Sequence, residues 1–595
     1  MFLRATTRKK DGKRHRYWSI VENKRVSGGR VLQRHVLYLG EINSAQELAW
    51  HKSIEVFEDG AQRPRTLRLF PADASEELAS EADVVRVRLH ELKLCRPRQW
   101  GACWLALKLW EELQLDRFWS ERLVASRKGT RWERVLFVLV AYRLIAPGSE
   151  WRLHREWFGR TALADLLGGD ARLSDIHTLY ACHDRLLEHK AGVFAHLVNR
   201  WRDLFNASFD VLLYDLTSTY FESDPPSDEE DKRRYGHSRD RRPDCVQVVI
   251  ALVVTTEGLP LAYEVLAGNT ADKTTLRAFL ADIERQYGKA RRIWIMDRGI
   301  PTEAVLEEMR HSDPPVLYLV GTPKGRLSKL EKHLLGQPWQ QARPGVEVKL
   351  LAQEAELYVY AQSRERVAKE RAMRQRKLKW LWARLDKLST MELSREQLLM
   401  KLGAAREHAP AAWRLVQVEV APQQASFSYR LRRDKLREVR RREGRYLLRT
   451  NLSDTDPAKL WEFYLQLVAV EEAFRNLKGD LAVRPIFHQH LERVEAHIFI
   501  AFLAYCLHVS LGRRLHALAP GLSARSVLEK FAAVQMIDVH LPTTDARELM
   551  LTRYTQPEPE LQLLLRRLKL ELPAQPPPRI SAAQVRPGNG SVVQT

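Results

Sequence analysis

Three carboxylates stand where a folding chain would rather have none. In "DVLLYDLTSTYF" (210–221) a strand-like apolar run from Val211 to Tyr214 leads straight into Asp215. In "RRIWIMDRG" (291–299) the run Ile293 to Met296 ends the same way, on Asp297 ahead of a Gly turn. The third acid lies in "YLQLVAVEEAFRNLK" (464–478), where a helical period puts Tyr464, Leu467, Glu471, Phe474 or Arg475, and Lys478 on one stripe. Val468 and Val470 flank that stripe, so Glu471 is expected within an apolar face of one helix over 457–478. Its neighbour Glu472, roughly 100° further round the axis, is expected to face solvent. Buried carboxylates are costly unless paired. Taken singly, each acid has an ordinary explanation: Asp215 and Asp297 as strand-end caps or partners of Arg298, Glu471 as the partner of Arg475 one turn on. Taken together, three acids leading toward one crevice need a positive charge that the motifs lack, and strand ends of an open α/β sheet are where such crevices form. A divalent cation meets that need, because hard ions such as Mg²⁺ take carboxylate oxygens and leave their other positions to water and phosphate.

The elements that must position these acids emerge from changes in texture along the chain. At 595 residues it exceeds what one core usually organises, so several domains are expected. Residues 1–90 alternate polar and apolar positions around Gly28-Gly29, which predicts a small basic β-rich module. From 91 to 204 apolar residues recur at three and four, predicting a helical domain. Its Arg127, Lys128, Arg131, Arg152 and Arg155 would either seat DNA or form a solvated basic face. From 205 to 322 three strand-like runs, a helical stretch and two further runs predict an α/β core, with Gly258 turning a hairpin. Residues 323–445 interrupt that core as a basic insertion domain, expected to be β-rich around the helical run 364–389. The core resumes over 446–545 with a strand and a helix capped by Asp454 or Asp456. Residues 546–595 form a C-terminal extension whose Pro/Gly-rich end, from 572 on, is expected to be disordered.

Composition narrows the partners. The 96 Lys and Arg against 75 Asp and Glu leave +21, a sequence-independent attraction for polyanions, with nucleic acid ahead of acidic membrane. The 16 Trp and 17 Tyr, interleaved with Arg, would also suit stacking on bases. Five scattered cysteines, with no C-x-x-C and no framework that could pair, argue for a reducing compartment and against structural zinc. The basic N-terminal stretch has no apolar segment of the secretory kind, and the most apolar run, 135–147, is too short to span a bilayer and carries Arg143. A cytoplasmic, nucleoid-associated protein without membrane contact is the expectation.

The residues around the three acids also carry a resemblance. "YDLTSTYFE", "IWIMDRG" and the Glu471 helix resemble the acid triad of DDE-type insertion-sequence transposases with an RNase H-like core. Within these, the third motif is similar to the Y-(2)-R-(3)-E-(6)-K signature of the group named after insertion sequence four, with Tyr464, Glu471 and Lys478 at matching spacing and Leu467 in place of the Arg. "YGHSRDRRPDCVQVVIALV", "GNTADKTT" and "VRPIFHQHLERVEAHIFIAFLAYCL" resemble the long-chain branch of that group, so the likeness spans roughly 205–510. The resemblance implies an RNase H-like mixed sheet flanked by helices, interrupted by a β-rich insertion. It implies two Mg²⁺ ions, for which Mn²⁺ can substitute, ~4 Å apart and held by Asp215, Asp297 and Glu471, with Asp215 bridging. Cleavage at an element's terminal inverted repeats and joining of the freed ends to target DNA follow, within a homodimer that pairs two ends. Lys478, Tyr464 and Arg475 on the Glu471 helix, Arg298 beside the second Asp, and Tyr235, His237, Arg239, Arg241 and Arg242 in the basic loop are the candidate DNA contacts. That loop reads equally as a solvated surface run. Trp380 and Trp382 would stack on a flipped base or, as the plainer alternative, pack within a helix pair. The rival functions are an RNase H-like nuclease or resolvase without strand joining, and an inactivated DNA-binding regulator.

Overall fold

The computed structural model describes residues 2–10, 13–25, 31–42, 46, 47, 50, 87–127, 129–228, 230–236, 242–270, 281, 283, 284, 292–296, 301–322, 330, 333, 334, 337–353, 355–453, 456–484, 486–545 and 547–582. At the N-terminus β1 (Phe2–Lys10), β2 (Lys13–Arg25) and β3 (Val31–Gly40) form an antiparallel meander in that order. Its inner side buries Trp18, Ile20, Leu37 and Leu39.

Helices Gly101–Glu112, Leu115–Arg122, Trp132–Ile145, Ile176–His183 and Lys190–Phe205 follow. The apolar run noted above is the Trp132–Ile145 helix, buried nearly all round and therefore wrapped by protein on every side. These helices share one continuous apolar core with the main sheet and with the 28-residue helix Leu491–Leu518. That long helix is the one candidate, among the described residues, long and apolar enough to cross a membrane, but 89% of its most apolar window is buried within the protein.

Eleven of the sixteen tryptophans are buried, including Trp100, Trp104, Trp119 and Trp201, which corrects the reading of Trp as base-stacking surface. Only Trp151, Trp339 and Trp380 are exposed. Trp380 packs on His408 at 4.2 Å, and Trp382 meets Tyr429 edge-on at 5.2 Å inside the insertion's own small core.

The main sheet has nine strands in the order β10-β11-β12-β15-β9-β8-β5-β6-β7. β5 (Val211–Phe221), β6 (Val246–Thr255) and β7 (Pro260–Ala267) are antiparallel, whereas β8 (Ile293–Met296) and β9 (Leu317–Gly321) run parallel to β5. Every residue of β6 is buried, as a strand covered on both faces requires. The β6–β7 hairpin turns at Gly258, whose φ of +82° is open only to glycine at low cost, and the Tyr505 hydroxyl donates to its carbonyl at 2.8 Å.

The insertion departs from expectation. Its β10 (Gln340–Arg343), β11 (Val346–Gln353) and β12 (Glu356–Ser363) do not form a separate domain; β12 pairs with β15 (Arg445–Thr450) and prolongs the main sheet. What stands apart is mostly helical: Arg364–Ser389, Arg395–His408 and Arg433–Arg442, with the hairpin β13 (Val416–Val420) and β14 (Phe427–Leu431). Its core is a Leu381, Leu385, Leu388, Leu398 and Leu402 cluster, the product of two amphipathic helices rather than of a sheet.

A fourth sheet joins distant parts of the chain: β4 (Lys93–Gln99) pairs with β16 (Gln535–Pro542), followed by β17 (Arg547–Tyr554) and β18 (Arg579–Ala582). β18 falls within the Pro-rich segment expected to be disordered. It pairs because Arg579 to Ala582 offers a free backbone edge beyond the prolines. The rest of that segment, 583–595, lies outside the described residues.

Candidate active site

β5 and β8 run parallel with Tyr214 opposite Met296, the last paired residues on each. Asp215 comes next on β5, half-buried and opposite Leu252 of β6. Directly paired residues in a sheet share a face, as do residues two apart on a strand. Leu252, Ile250 and Thr217 line a small apolar cavity with Leu477 and Lys478. Asp215, the partner of Leu252 and two residues from Thr217, therefore belongs to the sheet face covered by the helix Leu467–Lys478. Lys478, the last residue of that helix, is half-buried at this junction.

Glu471 lies seven residues earlier, about 10 Å along the axis at 1.5 Å per residue. Its charge reaches Tyr446 on β15: burial, and the carboxylates of Glu370 and Glu471, raise that phenol above its ordinary range. The Tyr446 ring sits edge-on to Trp461 at 5.8 Å with Arg366 over it at 5.3 Å. The helix thus passes from β5 and β6 toward β15, with β8 and β9 in between. Asp297 and Arg298 follow Met296 in the sequence and lie outside the described residues.

Two expectations about this helix are corrected. The helix expected over 457–478 is two, Pro457–Leu465 and Leu467–Lys478, divided at Gln466, so Tyr464 and Glu471 do not share one helix. The Tyr464 side chain lies outside what is described. Glu471 is also exposed, as is Glu472, because the buried side of the second helix runs through Ala473, Phe474 and Leu477 instead. An acid that is to meet an ion and a phosphate at a groove must be reachable from solvent, and the apolar stripe read from sequence lies to one side of it. Arg475, 73% exposed, pairs with Glu472 at 3.5 Å rather than with Glu471. At the start of Pro457–Leu465 it is Asp456 that caps, accepting from the Ala458 N–H at 2.9 Å.

In the basic loop Tyr235 is exposed, whereas His237, Arg239 and Arg241 lie outside the described residues. Arg242 is held by Glu222 at 2.7 Å and Asp244 at 2.9 Å and lies 4.9 Å over the Tyr220 ring. Arg484 covers the same ring at 5.2 Å. This Arg242–Tyr220–Arg484 group stands five residues beyond Asp215 on the same strand. The sequence reading missed Arg484, whose only signal was a lone Arg shortly after the Glu471 helix. The root of the loop is tight: Gly236 and Gly268 approach each other backbone to backbone, Gly268 N–H donates to Lys232 O at 2.8 Å, and Arg234 bridges Gln247. Of the helical-domain cations, Arg127, Arg152 and Arg155 are exposed, Arg131 pairs with Glu133 at 2.9 Å, and Lys128 lies outside the described residues.

Residues 207–507, just over half the chain, match the model of the transposase DDE domain. Residues 3–63 match that of the N-terminal domain of IS1634 family transposases. No curated protein matches. Six chains of solved structures match; one is a piggyBac transposase synaptic complex with hairpin DNA, 10% identical, with a TM-score of 0.34 over 74% of this chain and 82% of that one. The N-terminal match lies with the IS1634 family, so membership of the group named after insertion sequence four, and its Y-R-E-K signature, are set aside. Leu467 in the Arg position and the break at Gln466 agree with that correction.

Proposed function

The chain belongs to the transposases with a DDE domain, and from that premise we propose that Asp215, Asp297 and Glu471 are its three catalytic acids. The protein is a DNA transposase, an enzyme acting on DNA. The observation that carries the residue assignment is the position of Asp215: directly after the last residue paired between the parallel strands β5 and β8, on the sheet face beneath the Glu471 helix. The strand order β7-β6-β5-β8-β9, three antiparallel and two parallel, supports an RNase H-like core.

The donor set consists of carboxylate oxygens alone, which suits hard divalent ions, two of Mg²⁺ or Mn²⁺, over zinc or copper. Ions held by these carboxylates would supply neutralisation of the charge developing on a phosphate and activation of water or a 3′-hydroxyl. The chain's own residues position the substrate. Lys478, at the junction of helix and strand, suits a phosphate oxygen as a point charge. Arg475 offers an exposed guanidinium one turn earlier on the same helix. Tyr235 and the Arg242–Tyr220–Arg484 group add basic and aromatic surface at the far end of β5, with His237 and Arg239 in the same loop and Arg298 directly after Asp297 in sequence. In this reading the enzyme cuts at the terminal inverted repeats of its element and joins the freed ends to target DNA, as a homodimer pairing two ends.

The test is incubation of the purified protein with DNA carrying the element's ends and Mg²⁺, with products mapped to the nucleotide. Asp215→Asn, Asp297→Asn and Glu471→Gln each abolish cleavage while end binding persists, and Glu472→Gln cuts nearly as the parent does. Cutting that survives all three changes ends the assignment.

A further inference from the structure

Away from the acids of the sheet, four buried side chains converge from three parts of the chain. Glu150 opens the short helical turn capped by Ser149, and His183 ends the helix Ile176–His183. His488 lies in the segment after the Glu471 helix, and His497 sits in the long helix Leu491–Leu518. His183 Nε2, His488 Nε2 and His497 Nδ1 lie 3.6, 3.4 and 3.4 Å from the same oxygen, Oε1 of Glu150. Among the described residues this is the one group of three or more such side chains whose ligand atoms all fall within 4.8 Å of one another.

The hydrogen bonding makes this arrangement hard to explain with protein atoms alone. His183 Nδ1 is 2.9 Å from the Leu179 carbonyl and His497 Nε2 is 3.1 Å from the Val483 carbonyl. A carbonyl only accepts, so in the neutral imidazole each of those nitrogens carries the proton, and the other nitrogen presents a bare lone pair. Those lone pairs point at a carboxyl group, which only accepts when ionised and, if protonated, has one hydrogen for the three nitrogens around it. Consistently, none of the three inward nitrogens has a hydrogen-bond partner although all are fully buried. Arg143 does not resolve the conflict: its nearest nitrogen is 4.0 Å from Glu150, and another already donates to the Ala482 carbonyl at 2.9 Å.

We propose that Glu150, His183, His488 and His497 form a zinc site that clasps the helical domain to the part of the core following the Glu471 helix. Three imidazole nitrogens and one carboxylate oxygen are a donor set suited to zinc, and a closed set of four is the structural kind. Bonds of about 2.0–2.1 Å in a tetrahedron place neighbouring ligand atoms roughly 3.3 Å apart. The three nitrogen-to-oxygen separations lie within a few tenths of an ångström of that, and no two of the four ligand atoms are more than 4.8 Å apart, so binding needs the imidazole nitrogens to draw in by no more than about 1.5 Å. The carbonyl partners of His183 and His497 are the outer hydrogen bonds that metal-bound imidazoles characteristically donate. This site is distinct from the proposed carboxylate centre: it uses other residues, other donor atoms and a different class of ion.

The experiment is metal analysis of the full-length protein, purified without a histidine tag and dialysed into Mg²⁺ buffer. The expected result is one tightly held zinc per chain, undiminished by Asp215→Asn and lost in His183→Ala. Chelation lowers the melting temperature, and Co²⁺ added back produces the visible absorption of a tetrahedral site, altered in Glu150→Gln. Parent protein that carries no stoichiometric zinc and gives no such Co²⁺ spectrum overturns the proposal, as does zinc that disappears with Asp215→Asn but persists in His183→Ala.

Discussion

Replacing Gly268 by alanine puts one joint of the proposed DNA-facing loop under test. A Cβ built at Gly268 would lie 1.9 Å from the Gln247 carbonyl oxygen and 2.4 Å from that of Arg234. Both are backbone atoms in a bridged pair, so neither can swing aside as a side-chain end could. Cβ contacts below about 3 Å essentially do not occur, so the strand bearing Arg234 must move by more than 1 Å or detach. Detachment gives up the Gly268–Lys232, Arg234–Gln247 and Gln247–Gly268 hydrogen bonds. Overpacking of this kind costs about 1–3 kcal/mol, and the lost bonds place the change near the upper end, about 3 kcal/mol. If DNA binds only the docked loop, that sum weakens end binding by roughly a hundredfold. The assay pairs end-DNA affinity at fixed salt with the rate of proteolysis in the loop. The control is Gly403→Ala, in the Arg395–His408 helix, where an added methyl meets nothing within 4 Å. There a gain of about 0.5–1 kcal/mol is expected and affinity stays the same. A Gly268→Ala protein with the parent's affinity and protease resistance refutes the reasoning.

Further tests address separate links. Lys478→Ala should weaken DNA binding and lower the slope of log K against log salt by about one phosphate contact, read from titrations between low and moderate salt; an unchanged slope removes Lys478 from the DNA contacts. Asp538, buried yet bonded by Arg98 at 2.9 Å through two nitrogens and by the Thr552 hydroxyl at 3.0 Å, is held below the ordinary carboxylate range because these partners outweigh its burial. A depressed carboxyl stabilises above its unfolded value near pH 3.9 and loses that contribution as pH falls through the folded one. Urea midpoints of the parent should therefore drop on acidification below about pH 4 more steeply than those of an Arg98→Met/Asp538→Leu variant, and equal slopes would count against the pair.

Much of the core was legible because apolar, strand-like runs that meet an acid stand out, as at Tyr214–Asp215 and Met296–Asp297, although β5 does not end at Asp215 as its sequence suggested but continues, paired with β6, to Phe221. The Glu471 helix was legible as an element but not in its facing. A period of 3.6 marks which residues share a stripe, and only the contact with β5 and β6 decides that Phe474 and Leu477 turn inward. The docking of β10–β12 onto β15 was not legible, because pairing of edges more than eighty residues apart leaves no local mark. The Glu150 cluster was hidden for the same reason: its histidines lie at 183, 488 and 497, without the short spacings that betray a metal motif, and only folding makes them neighbours.

The place of β15 between β12 and β9 has a consequence for the order of events on the ribosome. The strand that joins the two halves of the sheet is made more than a hundred residues after β9, so until about residue 450 has emerged β9 offers a bare flank and the β10–β12 ribbon has nothing to lie against. A nascent or prematurely terminated chain ending inside the insertion therefore shows two adhesive edges at once. Such fragments should be cleared or clump rather than persist, which leaves little room for a shortened product of this gene to act as a lasting repressor of the whole one.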